Sequence, residues 1–148
     1  MEPRQNKRFD DLIQKKIRLS EDLLSLATEQ SQLSYVDDPN RYGNLVESRE
    51  IIIEDIQKTD VLIQNEIEAA GMDGAANLKL KLNEANARIS GLARQIMTLD
   101  EKSKFLMNDE LSKIQRKIQD LQKGKKGLNG YHAGSMVSFG GVFTDSKR

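Results

Sequence analysis

Cysteine and tryptophan are absent from this chain, and in 148 residues histidine occurs once and proline twice. Without cysteine there is no disulfide, no thiol nucleophile and no zinc–thiolate centre, and the chain suits a reducing compartment. Aromatic residues make up only 5% of the sequence, so the core is modest and little is left to line a deep substrate pocket. Enzymatic activity is therefore not expected, and neither is a cofactor. No apolar run approaches the roughly 20 residues that cross a bilayer, so membrane insertion is not expected. The opening MEPRQNKRFDD has no apolar run behind its basic residues and does not read as a secretory signal. These absences together set the expected location as cytoplasmic.

Charged residues are abundant, at 31%, and balance to zero, but they are unevenly placed. Residues 123–148 carry Lys123, Lys125, Lys126, Lys147 and Arg148 against Asp145, a net of +4, which leaves −4 for residues 1–122. Five cations without a dense arginine cluster give a small counterion-release term, so a nucleic-acid partner is not expected. The same segment, KGKKGLNGYHAGSMVSFGGVFTDSKR, holds six of the ten glycines and three of the seven aromatics. It reads as a Gly/aromatic C-terminal tail on a helical body that occupies residues 1–122.

Apolar periodicity predicts three helices in that body. The first covers about Asn6–Leu33, with Leu12, Leu19, Leu23, Leu26 and Leu33 on a seam that Phe9, Ile13 and Leu24 widen. In the turn SYVDDPNRYG, Asp38 suits an N-cap and Pro39 the first helical position, where no N–H is needed. The second helix starts there, has its apolar positions at Tyr42, Leu45, Val46, Ile52, Ile53, Ile56, Ile63 and Ile67, and ends where Gly71 can adopt the left-handed conformation. Asp73 is placed to cap the third, which runs to about Lys126. The expected fold is all-α: an elongated antiparallel bundle, or coiled coil, of three long helices with a flexible Gly-rich tail.

In the third helix Leu78, Leu82, Ala85, Ile89, Leu92, Ile96 and Leu99 alternate at spacings of four and three, a coiled-coil seam. Around Ser103 the intervals become four, four, four before Met107, Leu111, Ile114, Ile118 and Leu121 resume the alternation. Such a stutter unwinds a supercoil locally and turns the apolar face. Helices of about 28, 32 and 53 residues would span roughly 42, 48 and 80 Å, so the first two cannot cover the third along its length. Either the third breaks near Ser103 and folds back, or its later half waits for a partner, which is another protein or a second copy of the chain.

Catalytic groups are nearly missing. His132 stands among glycines with no cysteine or local carboxylate to share a metal, and reads as a solvated tail residue. Gly124–Gly127, GKKG, lacks the spacing of a phosphate loop and closes a helix where such a loop would open one. Glu47, Glu50, Glu54 and Asp55 lie at helical spacing beside Arg49 and Lys58, as on a solvated face with i,i+4 pairs. Gly71-Met72-Asp73-Gly74 is a turn and not a calcium loop, because Ala, Asn and Leu occupy the following ligand positions.

The stretch IMTLDEKSKFLMNDELSKIQRKIQDLQKGKKGLNGY, followed by GGVFTDSKR, resembles the C-terminal half of flagellar export chaperones of the FlgN and FliT type. The likeness lies in a long helix that ends in a Lys/Gly-rich segment, Lys123–Gly127, then Tyr131, and then a terminus carrying Phe143, Asp145 and Lys147. Thr144 stands where the family usually has isoleucine. Residues 44–56, NLVESREIIIEDI, are similar to the opening of the family's second helix through Leu45, Glu47, Arg49 and Ile53.

The resemblance implies a cytoplasmic, all-helical type III export chaperone. FlgN-like members escort hook–filament junction proteins, FliT-like members escort the filament cap protein, and both dock on the export apparatus. Cargo of that kind presents amphipathic helices, which an uncovered apolar seam accepts through anchors at i, i+3, i+4 and i+7. The candidate partner-binding residues are Leu106, Met107, Leu111, Ile114, Ile118 and Leu121, with Tyr131, Phe139, Val142 and Phe143 of the tail as a gate over them. The alternative is a homodimeric coiled-coil structural or regulatory adaptor protein.

Overall fold

A computed structural model describes residues 3–128, with side chains from Arg4 to Lys125. Three helices account for it: α1 (Pro3–Ser31), α2 (Pro39–Ala69) and α3 (Gly71–Leu128). The all-α expectation holds, with no strand among the described residues.

Local chemistry sets the boundaries. The last turn of α1 tightens through bonds from Gln32 N to Glu29 O and from Leu33 N to Gln30 O, a common way to satisfy terminal carbonyls. Ser34 then organises the turn: its hydroxyl accepts from Asp37 N at 3.1 Å, and its carbonyl accepts from Asp38 N at 3.1 Å. Asp38 caps α2 by accepting from Arg41 N at 3.2 Å, and Pro39 opens the helix as expected. Gly71 has φ +76°, the left-handed conformation that closes α2 without the steric cost a Cβ would bring. The next helix begins at that same glycine. Asp73 therefore sits inside the first turn of α3 and not ahead of it, and its negative charge favours the positive end of the helix dipole there.

Helix α3 continues through Ser103 without a break, so the folded-back fourth helix is not formed. The chain nevertheless divides into two compact units, one up to Leu106 and one from Met107 onward.

The first unit is a three-helix bundle whose directions are fixed by ion pairs. Arg8–Glu66, Lys16–Asp60 and Arg41–Glu29 run α1 antiparallel to α2. Lys81–Asp10 and Arg88–Glu21 run α3 parallel to α1. One end of the bundle is apolar, with Phe9, Ile13 and Ile17 packed against Ile63 and Ile67 and against Leu78 and Ala85. Each large side chain buried there contributes roughly 1.5–3 kcal/mol of hydrophobic stabilisation. Toward the middle and far end Leu45 and Ile96 are still buried, but most of the buried residues become small or polar: Ser20, Ala27, Gln30, Ser31, Thr59 and Ser103. The hydroxyls of Ser20, Thr59 and Ser31 bond carbonyls of their own helices at 2.7–2.9 Å, so their burial is compensated.

At that far end Arg49 joins all three helices. Its Nη1 donates to Gln30 Oε1 at 2.7 Å and to Asp100 Oδ1 at 2.7 Å, and its Nη2 donates to Asp100 Oδ2 at 2.9 Å. Gln30 in turn donates to Tyr42 Oη at 3.0 Å, and Tyr42 meets Tyr35 edge to face. The expectation of a solvated charged face on α2 is thus corrected at Arg49, whose side chain is only 16% exposed. Glu47, Glu50 and Glu54 do face solvent.

Candidate partner-binding surface

The second unit, as far as it is described, is a single stretch of α3 from Met107 to Leu128. At 100° per residue, Met107, Leu111, Ile114, Ile118 and Leu121 all fall within about 40° of one line along the helix. They form one apolar row. Not one of the residues from Met107 to Lys125 is buried: Leu111 is 47% and Leu121 65% exposed, and Met107, Ile114 and Ile118 are half-buried. Leu106, one position and so about 100° round from Met107, closes the first unit at 36% exposure and stands off the row. The gate residues Tyr131, Phe139, Val142 and Phe143, and His132, lie outside the described residues.

Polar residues flank the row unequally. On one edge stand Asn108, Gln115 and Gln122, all uncharged. The other edge and the back of the helix carry Lys113, Arg116, Lys117 and Lys123, and Lys125 continues the line of the row. Asp109 pairs with Lys113 at 3.1 Å, an exposed i,i+4 contact worth a few tenths of a kcal/mol. An open recess of about 500 Å³ is lined by Lys117, Asp120, Leu121, Gly124 and Lys125. A Cβ added at Gly124 would meet nothing within 4 Å, so this glycine leaves open space beside Leu121.

This surface offers hydrophobic contact and positive charge. Among the described residues no three metal-ligating side chains cluster, and no helix is long and apolar enough to cross a membrane.

Two features escaped the sequence pattern. Phe105, in the first unit, is 73% exposed although aromatic; it sits off every apolar spacing, and only that mismatch could have flagged it. The Arg49–Asp100 pair is the other: Arg49 stands on the apolar stripe of α2 between Leu45 and Ile52, but nothing local names Asp100 as its partner. Compared with family models, curated proteins and solved structures, this chain matches none. The class its own fold defines is an all-helical protein: a three-helix bundle whose last helix carries an apolar row.

Proposed function

We propose that this chain is a non-enzymatic, cytoplasmic export chaperone that holds a flagellar hook-associated protein, junction or cap, before secretion and delivers it to the export apparatus. The observation that carries this reading is the row Met107, Leu111, Ile114, Ile118 and Leu121, in which no side chain is buried. Its four-three spacing accepts an amphipathic helix in the groove mode, and monomeric filament-type subunits offer such segments before assembly. The likeness of residues 96–131 and 140–148 to export chaperones of the FlgN and FliT type supplies the cargo class.

Calorimetric titration of the purified chain with the C-terminal helical segments of a junction protein and of a cap protein tests it. One segment binds at micromolar Kd or tighter, and replacing Ile114 and Ile118 together by Asp abolishes the heat. Failure of both segments, or equal binding by the double variant, overturns the reading. The same four-three spacing fits a second copy, as in a structural or adaptor coiled coil. Light scattering that shows a dimer in the wild type and a monomer in the double variant would assign the row to self-association.

A further inference from the structure

The charges along the row change sign from one end to the other. Near its start lie Asp109 and Glu110, while from Lys113 to Lys125 five cations stand against the single carboxylate of Asp120. Arg116, Lys117, Lys123 and Lys125 are exposed, and Lys113 keeps 65% of its side chain in solvent while paired to Asp109. The C-terminal end of α3 contributes a negative dipole charge of only about half a unit, so it offsets a small part of that net +4. Lys117 and Lys125 line the open recess beside Leu121 and Gly124. An apolar anchor seated there would place its flanking carboxylates within reach of two ammonium groups.

Resting on the reading above, we infer that the helix bound by this row lies antiparallel to α3, with an acidic first turn at the Leu121 end and a basic last turn at the Met107 end. Helices in general favour acidic residues in the first turn and basic residues in the last, because these offset their own dipole. A partner built that way matches the row in one direction only. Antiparallel docking sets its acidic start beside Lys117 and Lys125; parallel docking would set its basic end against those same cations. The contacts are exposed, so they govern orientation and partner choice, while the apolar row supplies most of the affinity.

The chain has no cysteine, which makes single-cysteine labelling clean. Spin labels at Asn108→Cys and, separately, at Gln119→Cys report on a synthetic amphipathic helix labelled at its N-terminus, with leucines at i, i+3, i+4 and i+7, glutamates in its first turn and lysines in its last. A twin probe exchanges the glutamates and lysines. At low salt the first probe binds about tenfold more tightly than the twin, its label lies nearer Gln119→Cys than Asn108→Cys, and the two affinities converge in 1 M salt, where screening acts beyond about 3 Å. A label nearer Asn108→Cys, or a twin that binds equally well at low salt, overturns the orientation while leaving helix binding intact. If neither probe binds, the row is not a helix acceptor, and the chaperone reading fails with it.

Discussion

Residues 9–17 and residues 107–121 present the same kind of sequence, an apolar side chain every three or four positions, and end in opposite states. Phe9, Ile13 and Ile17 are buried among side chains of α2 and α3, whereas Met107, Leu111, Ile114, Ile118 and Leu121 have no buried member. The net charges differ as well: residues 1–106 sum to −4 and residues 107–148 to +4. Periodicity therefore states which face of a helix is apolar and leaves open what covers it. Cover depends on partner helices, and the first unit contains its own.

The largest effect that would break this contrast is a matched truncation. Phe9→Ala removes a fully buried ring and should cost about 4 kcal/mol, much of the roughly 5–15 kcal/mol available to a domain of this size. Ile118→Ala removes a half-buried side chain and should change unfolding by about 0.5 kcal/mol or less. Urea unfolding of both variants at one protein concentration measures the difference. A cost at Ile118 comparable to that at Phe9 would mean the row is already covered, by a second copy or by another part of the chain.

The same contrast explains how much could be foreseen. The turn at Asp38–Pro39 and the helix stop at Gly71 were legible because each depends on neighbours a few residues away: a carboxylate reaching Arg41 N, and a backbone that only glycine adopts cheaply. The apolar row was legible from spacing alone. Arg49 was not, because its partners Gln30 and Asp100 lie 19 and 51 residues away along the chain. On a helical wheel it lies on the apolar stripe with Leu45, Ile52, Ile56 and Ile63, which points it inward, but only the assembled bundle supplies its partners. Nor does any pattern show that the stutter at Ser103 leaves α3 unbroken, since a run of four-residue spacings is compatible with a straight helix or a hinge.

A smaller effect sharpens the contrast within the bundle, between its apolar end and its polar end. Arg49→Met leaves Gln30 Oε1 without its donor and removes a bidentate contact to Asp100, charge-assisted bonds typically worth about 1.5–3 kcal/mol. Asp100 is 42% exposed and water can replace part of the loss, so a cost of about 2 kcal/mol is expected. Arg49→Lys, which keeps the charge and loses the fork, should fall between Met and wild type. The Arg49 pKa is raised by its hydrogen bonds to Asp100, against an opposing push from burial. A cation whose pKa rises on folding contributes stability in full below its unfolded value and loses it as pH rises from there through the folded one. Through Arg49, then, the cost of the Met substitution should be the same at pH 6 and pH 9; a strong dependence in that window would implicate another group.

The smallest effect lies at Ser103, the last buried residue before the row. Its side chain is buried, yet its hydroxyl has no hydrogen-bond partner, unlike those of Ser20, Ser31 and Thr59, which each bond a carbonyl of their own helix. A buried hydroxyl left unpaired costs about 1–3 kcal/mol, and alanine is also the better helix former by a few tenths. Ser103→Ala should therefore stabilise the first unit by about 1 kcal/mol, the reverse of the usual sign for altering a buried position. Thermal unfolding reads this as a rise in Tm of roughly 4–8 °C for a unit of this size. Ser103→Leu separates packing from polarity, because it too removes the hydroxyl but needs space for three more carbons. If leucine stabilises further, the site has room and the stutter marks a gap in the core; if alanine stabilises and leucine does not, the small side chain is required where the three helices close. A loss of stability with alanine would mean that the hydroxyl is bonded in solution, and Ser103 would then belong with the polar end of the bundle that Arg49 holds together.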